Sequence, residues 1–128
     1  MRNLRQKIEN FDWLNLSKQL DEQGYALTPR LLSPAHCAGL TGLYTSDKTF
    51  RSSVVMERHN FGRGEYRYFA NPLPPLIAGL REHFYPPLAS IANRWAARLK
   101  QPERYPPTLN AFLASCTRHQ QIKPTPLM

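Results

Sequence analysis

The chain has 128 residues, of which 41% are hydrophobic, and carries seventeen Lys and Arg against nine Asp and Glu. This length is enough for one modest core and not for two, so one domain is expected in these residues. No stretch approaches the ~20 apolar residues that span a bilayer, and the N-terminal sequence lacks the apolar segment of a secretory signal. A cytoplasmic protein with no membrane partner is expected, with Cys37 and Cys116 as free thiols.

The first part of the chain predicts two helices and one short strand. Asp12 can cap a helix whose apolar residues recur at spacings of three and four, and Gly24 supplies the left-handed residue that ends it. A strand over residues 25–27 is expected to follow. Ser33-Pro34 is a strong helix start, because the serine side chain accepts from free amides and proline suits the first helical position. This second helix is expected to end near Tyr44.

The middle of the chain predicts a pair of strands. Residues 50–56 are rich in β-branched and apolar side chains, and residues 65–69 alternate charged and aromatic side chains. A glycine-containing turn over residues 61–64 is the economical connection between them. Asn71-Pro72 is expected to close the strand pair.

The remaining third returns to helical spacing. Residues 73–99 place apolar side chains on one helical face, but Pro86-Pro87 predicts a boundary between two helices there, because proline removes a backbone donor. A last helix is expected from Pro107 or Thr108 to about Cys116. Residues 118–128 have no amphipathic period and are predicted to form an extended tail.

Positive charge is concentrated in the later part of the chain. Residues 49–128 hold eleven of the seventeen basic residues and four of the nine acidic ones. A field of this sign attracts polyanions within about 8 Å at physiological salt. Nucleic acid or an acidic protein surface is therefore a candidate partner for this region, and a basic domain without such a partner is the alternative.

The sequence contains no recognisable catalytic or metal-binding constellation. A catalytic metal needs about three converging ligands, yet the four histidines are scattered and none belongs to a His-x-Asp or His-x-Glu pair. Glu57-Arg58-His59 contains the residue types of such a pair in the reverse order. We interpret this as chance, because no second histidine follows at a suitable distance in a core strand. No nucleophile elbow or glycine-rich phosphate loop is present. No catalytic, metal-binding or cofactor-binding residue is therefore assigned.

The best candidate for a binding surface is the predicted strand pair. Alternation along a strand sends Tyr66 and Tyr68 to one face and Arg67 to the other. Bases stack on aromatic rings, and arginine adds phosphate contacts and cation–π stacking. The candidate substrate-binding residues are Arg58, Phe61, Arg63, Tyr66, Arg67 and Tyr68. The alternative is a hairpin whose tyrosines pack on the helices and whose arginines are solvated.

Several uncommon runs occur together in one order, between about Trp13 and Leu127. They are Phe61-Gly62-x-Gly64-Glu65-Tyr66, Asn71-Pro72-Leu73-Pro74, Ile91-Ala92-Asn93-x-Trp95 and Pro124-Thr125-Pro126-Leu127. On these runs the chain resembles the N-terminal half of bacterial 2-oxoglutarate- and Fe(II)-dependent oxygenases of the prolyl-hydroxylase-like and damaged-DNA type.

The resemblance implies an α+β fold in which this chain is the helical support region and the outer strands of a double-stranded β-helix, or jelly roll, with the barrel core truncated. Residues 1–128 would form one partial domain, with the elements in about 12–117 and the tail in 118–128. In the family a His-x-Asp pair and a distant histidine hold the iron, and these ligands would lie after Pro126. Fe(II) and 2-oxoglutarate are thus implied by the resemblance, and neither is expected to bind this chain alone.

Two functional interpretations remain open. The first is a fragment of an Fe(II)- and 2-oxoglutarate-dependent dioxygenase, inactive alone unless a second polypeptide completes it. Because the helices of residues 73–99 would lose the sheet they cover, the isolated chain is expected to be marginally stable. The second is a small basic nucleic-acid-binding module that uses the hairpin of residues 58–69. Prolyl residues, nucleobases and small molecules all remain candidate oxygenase substrates.

Overall fold

The computed structural model describes residues 2–128, in which helices predominate and one antiparallel strand pair forms the sheet. In chain order the elements are α1 (Arg2–Glu9), α2 (Trp13–Gln23), α3 (Pro34–Leu43), β1 (Phe50–Val55), β2 (Glu65–Phe69), α4 (Pro75–Arg98) and α5 (Leu109–Arg118). Short 3-10 turns at Asp47–Thr49 and Met56–His59 flank β1. This mixture of helices and antiparallel strands agrees with the α+β class expected from the sequence.

The chain divides into two compact units, each built from two separate stretches of sequence. The helical unit comprises the chain up to Leu31 and Ala78–Gln121, and the hairpin unit comprises Leu32–Ile77 and Ile122–Met128. Among the helices of residues 2–128, none has the length and apolar content that a bilayer crossing requires.

The predicted starts and ends of α2 and α3 are confirmed. The Asp12 carboxylate accepts from the backbone amide of Asn15 at 3.1 Å, and Gly24 ends α2 at a φ of 80°. Ser33 and His36 form a reciprocal capping box at the start of α3, with each side chain bonded to the other residue's backbone amide. These local signals act within one turn of helix, so tertiary packing does not override them.

The strand predicted over residues 25–27 is wrong. No strand is assigned there, and the side chains of Tyr25 and Leu27 are exposed. An extended segment becomes a strand only when its backbone groups pair with a neighbouring strand, and within residues 2–128 the sheet consists of β1, β2 and an isolated bridge at Leu127. The segment therefore remains irregular.

The predicted helix boundary at Pro86-Pro87 is also wrong, because α4 runs through both prolines. Proline in a helix interior removes a hydrogen bond and usually bends or breaks the helix. Packing on both sides outweighs this cost: Phe84 lies in an aromatic cluster, and Ala89 and Ile91 are buried. Tertiary contacts thus keep α4 continuous at two prolines where the local sequence preference favours a break.

Residues 2–9 form a helix that the sequence analysis did not assign. Leu4 and Ile8, one turn apart, are both buried in the helical unit, and the indole of Trp13 donates to the carbonyl of Ile8 at 2.8 Å. The rings of Phe11, Trp13 and Phe84 pack with centroids 6.1 to 6.3 Å apart. The core of this unit therefore begins with the first turns of the chain.

The predicted last helix is confirmed as α5, and both cysteines are free as expected. The Thr108 hydroxyl accepts from the amide of Ala111 at 3.2 Å and so caps α5. Cys116 lies half-buried near the end of this helix, whereas Cys37 is exposed on α3.

Candidate nucleic-acid interface

The sheet of the hairpin unit has two strands and a short third edge. β1 and β2 pair antiparallel, with Ser52 opposite Tyr68 and Val54 opposite Tyr66. On the other side of β2 the tail runs alongside: the amide of Arg67 donates to the carbonyl of Met128 at 2.8 Å, and the amide of Met128 donates back at 3.0 Å. The predicted strands are confirmed, and the predicted extended tail is found to complete the sheet.

One face of the sheet carries the core of the hairpin unit. Phe50 and Phe69 are buried and stack with centroids 5.0 Å apart. The Arg67 guanidinium lies 4.2 Å from the centroid of the Phe50 ring, and its Nε donates to Ser53 Oγ at 2.9 Å. It also bonds the Tyr44 carbonyl and pairs with Asp47 at 3.1 Å. Arg67 is therefore held on the core side of the sheet.

Tyr44 connects α3 to the same face of the sheet. Its ring contacts Phe50 edge to face, and its hydroxyl donates to the Glu65 carboxylate at 2.7 Å. This hydrogen bond to a carboxylate raises the pKa of the Tyr44 phenol, because loss of its proton would set two negative charges side by side. The α3 C-terminus and β2 are thereby fixed to each other.

The opposite face, which we call the tyrosine face, is formed by Arg51, Tyr66 and Tyr68. The two tyrosine rings lie edge to face with centroids 5.7 Å apart, and both are half-buried. The Arg51 guanidinium lies over the Tyr68 ring at 4.5 Å from its centroid, and its Nε donates to the Pro124 carbonyl at 2.9 Å. This bond orients a cation over an aromatic ring, an arrangement that suits stacking and anion contact.

Arg51 was not found by the sequence analysis. The pairing of β1 with β2 shifts between Phe50 and Ser52, so Arg51 is the extra residue of a bulge. A bulge re-aims a side chain, and simple alternation along the strand does not foresee it. No feature of residues 50–56 marks this position in the sequence.

The connection between β1 and β2 carries the other predicted residues. Arg58, Phe61 and Arg63 are all exposed, and 73% of Phe61 is accessible. Its ring stacks on His59 with centroids 6.2 Å apart, and its amide donates to the Met56 carbonyl at 3.1 Å. The predicted glycine turn is present, preceded by one turn of 3-10 helix.

Backbone geometry explains the glycines of this connection. Gly62 and Gly64 have φ values of 97° and 120°, which side-chain-bearing residues rarely adopt. The Gly64 carbonyl accepts from the amide of Met56 at 2.9 Å, which closes the loop. An open concavity of about 510 Å³ beside it is lined by Glu57, Asn60, Gly62 and Arg63.

The six predicted site residues thus fall into three groups. Tyr66 and Tyr68 are brought together on the tyrosine face, and Arg67 lies on the opposite face of the same strand. Arg58, Phe61 and Arg63 are exposed on the connection. Their role in binding stays a prediction.

The described residues do not fit a metal site. Within residues 2–128, no group of three or more His, Cys, Asp or Glu side chains converges as metal ligands. Glu57 and His59 lie in the 3-10 turn, and the ring of His59 stacks on Phe61. No reaction step through iron is therefore derived from these side chains.

Comparison with known proteins identifies the family. Residues 64–128, just over half of the chain, match the family model of an oxygenase catalysing oxidative methylation of damaged DNA. The chain therefore belongs to this oxygenase family. The expected link to oxygenases and to DNA is confirmed at this level, and membership suggests an enzyme class that depends on a metal or cofactor.

Two curated relatives come from two strains of Mycobacterium tuberculosis, and both are uncharacterized proteins. Each is 38% identical to this chain over 60 residues, which is 47% of this chain and 26% of the relative. The match thus spans about a quarter of the relatives' length. No solved structure is significantly similar.

Proposed function

We propose that the chain is part of a 2-oxoglutarate- and Fe(II)-dependent dioxygenase that acts on damaged DNA. Its helices and strands would form the support region and outer strands of a jelly-roll barrel. Family membership supports the oxygenase chemistry, and the sequence resemblance supports the choice of iron and 2-oxoglutarate. When bound, these groups supply the oxidising chemistry, which side chains alone cannot provide.

In this proposal the iron ligands lie outside these 128 residues, as the sequence resemblance implies. The greater length of the relatives supports this division, because the matched 60 residues are 26% of each relative. The contribution of this chain is then to bind and orient the DNA substrate and to support the barrel.

The observation that carries the DNA-binding role is the guanidinium of Arg51 held over the Tyr68 ring, with Tyr66 beside it. A base that leaves the helical stack can be received on such aromatic rings, and a neighbouring arginine can contact phosphate. The net charge of +8 favours the approach of DNA to the molecule. The exposed Arg58 and Arg63 add cations on the adjoining connection.

Titration with a fluorescent single-stranded oligonucleotide at several salt concentrations tests this role. If about four phosphates are engaged, the log–log plot of affinity against salt has a slope near −3. Replacing Tyr68 by Leu should weaken binding roughly tenfold, because base stacking on an aromatic ring is lost.

Matched charge variants locate the interface. Arg51→Gln and Arg104→Gln each remove one positive charge, but Arg104 lies in the helical unit and bonds its neighbouring carbonyls of Gln101 and Glu103. Arg51→Gln should weaken binding clearly more than Arg104→Gln. Equal losses would mean that only overall charge matters, and absence of binding at low salt would refute the DNA-binding role.

The oxygenase part is tested by succinate release from 2-oxoglutarate in the presence of ferrous ion and damaged DNA. The completed enzyme should release succinate, and the pure 128-residue chain should not. One equivalent of tightly bound ferrous ion together with succinate release by the pure chain would contradict the placement of the ligands elsewhere.

A small basic nucleic-acid-binding module is the second candidate function. The exposed ring of Phe61, flanked by Arg58 and Arg63, favours it, because these side chains can engage DNA without an active site. This function uses the hairpin of residues 58–69, with the connection and the strand residues together, and needs no barrel. Phe61→Ser would then weaken binding at least as much as Tyr68→Leu, whereas the dioxygenase proposal expects a clearly smaller loss for Phe61→Ser.

A further inference from the structure

The open concavity beside the connection between β1 and β2 has a chemistry of its own, which the proposed function uses only as a source of positive charge. It measures about 510 Å³ and is lined by Glu57, Asn60, Gly62 and Arg63. This volume is in the range that takes a small organic group such as a nucleobase. All four residues are exposed, so a ligand that approaches from solvent can reach them.

Two opposite charges line this concavity without pairing. Within residues 2–128, neither the Glu57 carboxylate nor the Arg63 guanidinium takes part in a hydrogen bond or an ion pair. Glu57 is one of only four acidic residues in the basic part of the chain, residues 49–128, and its carboxylate repels phosphate. A ligand that engages both side chains needs one edge that accepts hydrogen bonds and another edge that donates them.

Backbone hydrogen bonds hold the shape of the concavity. The amide of Asn60 donates to the carbonyl of Glu57 at 3.3 Å, and the amide of Phe61 donates to the carbonyl of Met56 at 3.1 Å. A Cβ added at Gly62 would meet no atom within 4 Å, so the space beside this backbone is open to a flat ring. A ligand therefore finds a formed loop and little reorganisation is needed to bind it.

Guanine is the nucleobase whose hydrogen-bonding groups match this pair of charges. Its O6 and N7 atoms are adjacent acceptors, which an arginine binds with two parallel hydrogen bonds. Its N1–H and N2 amino groups are adjacent donors, which suit the two oxygens of a carboxylate. Adenine, cytosine and thymine each lack this combination of two adjacent acceptors and two adjacent donors. The donor edge is occupied by cytosine in a duplex, so the match requires an unpaired guanine.

We propose that this concavity recognises an unpaired guanine of the DNA strand, with Arg63 at O6 and N7 and Glu57 at N1–H and the N2 amino group. This inference rests on the DNA-binding role proposed above and adds a base preference to it. The tyrosine face and the concavity then have separate roles, because stacking accepts any base whereas contacts to base edges select one.

Single-stranded thymine oligonucleotides that differ at one central base test this preference. The strand with guanine at that position should bind roughly tenfold more tightly than the strand with adenine. Hypoxanthine lacks the N2 amino group, and 7-deazaguanine lacks the N7 acceptor. Each of these analogues should therefore lose a large part of the preference that guanine shows.

Glu57→Gln separates recognition of the base from overall charge, because its two expected effects have opposite directions. The substitution removes a negative charge, so binding to the plain thymine strand should be unchanged or tighter. The guanine preference should fall several-fold, because the new amide group turns a donor toward the donors of guanine. A purely electrostatic role of Glu57 would change the binding of all strands alike.

Arg63→Met should also remove the guanine preference and should make binding insensitive to the 7-deaza replacement. Arg58→Met is the matched control, because Arg58 is exposed on the same connection but is not among the residues that line the concavity. This control should weaken binding to every strand by the same factor and retain the preference.

Equal binding of the guanine and adenine strands by the wild-type chain would overturn this inference and leave the DNA-binding role in place. A preference that survives both Glu57→Gln and Arg63→Met would overturn it as well, as would a preference that Arg58→Met removes to the same extent. Failure to bind any of the strands at low salt would refute the inference together with the DNA-binding role.

Discussion

Arg67 shows how one charged residue can organise a small core. Its guanidinium contacts the Phe50 ring, donates to Ser53 and the Tyr44 carbonyl, and pairs with Asp47. Only 13% of its side chain is accessible, although Asp47 is almost fully exposed. The side chain therefore joins β2 to β1 and to the end of α3.

Replacing Arg67 by Met should destabilise the hairpin unit by roughly 2 to 4 kcal/mol, because the largely buried guanidinium loses its hydrogen bonds and its cation–π contact together. Urea unfolding followed by tyrosine fluorescence measures the change. The matched control is Arg63→Met at an exposed site, where a change within about 0.5 kcal/mol is expected. Equal effects of the two substitutions would argue against a structural role for Arg67.

Asp21 provides a pH-dependent contact in the helical unit. The Trp95 indole donates to its carboxylate at 2.6 Å, and Arg98 lies 3.4 Å away. The hydrogen bond from Trp95, aided by Arg98, lowers the pKa of Asp21 below its ordinary value of 3.8. A lowered folded-state pKa means that this stabilisation is present above pH 3.8 and is lost as the pH falls through the folded-state value.

Trp95→Phe should therefore lower the melting temperature near neutral pH, and the deficit should shrink as the pH falls below 3.8. Thermal unfolding of both proteins across this range gives the measurement. Trp13→Phe is the control, because the Trp13 indole bonds the uncharged carbonyl of Ile8 and its deficit should not depend on this titration. A constant deficit for Trp95→Phe would contradict the assigned contact.

At the scale of elements, the tail beside β2 is the least expected part of the sheet. Three backbone hydrogen bonds join it to β2, two with Arg67 and one from the Phe69 amide to the Pro126 carbonyl at 2.9 Å. The alternate amides of β2, those of Tyr66 and Tyr68, face β1 across the antiparallel ladder. The tail thus protects one set of β2 amides and leaves the other set to β1.

Removing residues 126–128 should speed hydrogen exchange first at the amides of Arg67 and Phe69. Those of Tyr66 and Tyr68 should change less, because β1 still covers them. Residue-resolved exchange measured by NMR or mass spectrometry distinguishes the two sets. The control is a variant that lacks residues 119–121. It is also three residues shorter, but it keeps the tail residues that bond to β2. Uniform acceleration of all four amides would mean that the hairpin unfolds as a whole.

The success of the sequence-based predictions followed the range of the interactions involved. Three predictions depend on neighbours within a few residues, and all three are confirmed. They are the helix cap at Asp12, the helix cap at Ser33 and the placement of Tyr66 and Tyr68 on the same face of β2. The continuity of α4 through Pro86 and the bulge at Arg51 depend on distant packing and pairing. Neither could be foreseen from local preference.

The candidate site was only partly foreseen for the same reason. Alternation along β2 predicts that the two tyrosines share one face of the sheet. The glycines predict the turn between β1 and β2 and so the exposure of its side chains. The position of Arg51 over Tyr68 needs the strand register, and the burial of Arg67 needs the position of α3. Sequence therefore identified the strand that carries the site and not the residue that completes it.

At the scale of the molecule, the buried apolar core is small for the length of the chain. Within residues 2–128, the buried hydrophobic side chains are Leu4, Ile8, Leu16, Phe50, Phe69, Ala89 and Ile91. Only Phe50 and Phe69 of these belong to the hairpin unit. Large apolar side chains such as Leu14, Leu27 and Ile122 are instead more than two thirds exposed.

We therefore expect the isolated chain to unfold over a broad temperature range and to gain stability from a completing polypeptide. Differential scanning calorimetry with and without that polypeptide measures both effects. A single sharp transition for the isolated chain, with well-dispersed amide NMR signals, would show that the small core suffices.

The division of each unit into two stretches of sequence also has a consequence for synthesis on the ribosome. The helical unit needs Ala78–Gln121 to join residues made far earlier, and the hairpin unit needs Ile122–Met128. Helices that are synthesised early, such as α2, therefore keep their apolar sides exposed until residues 78–121 have been translated. We therefore expect a chaperone near the exit tunnel to cover these helices until residues 78–121 have emerged.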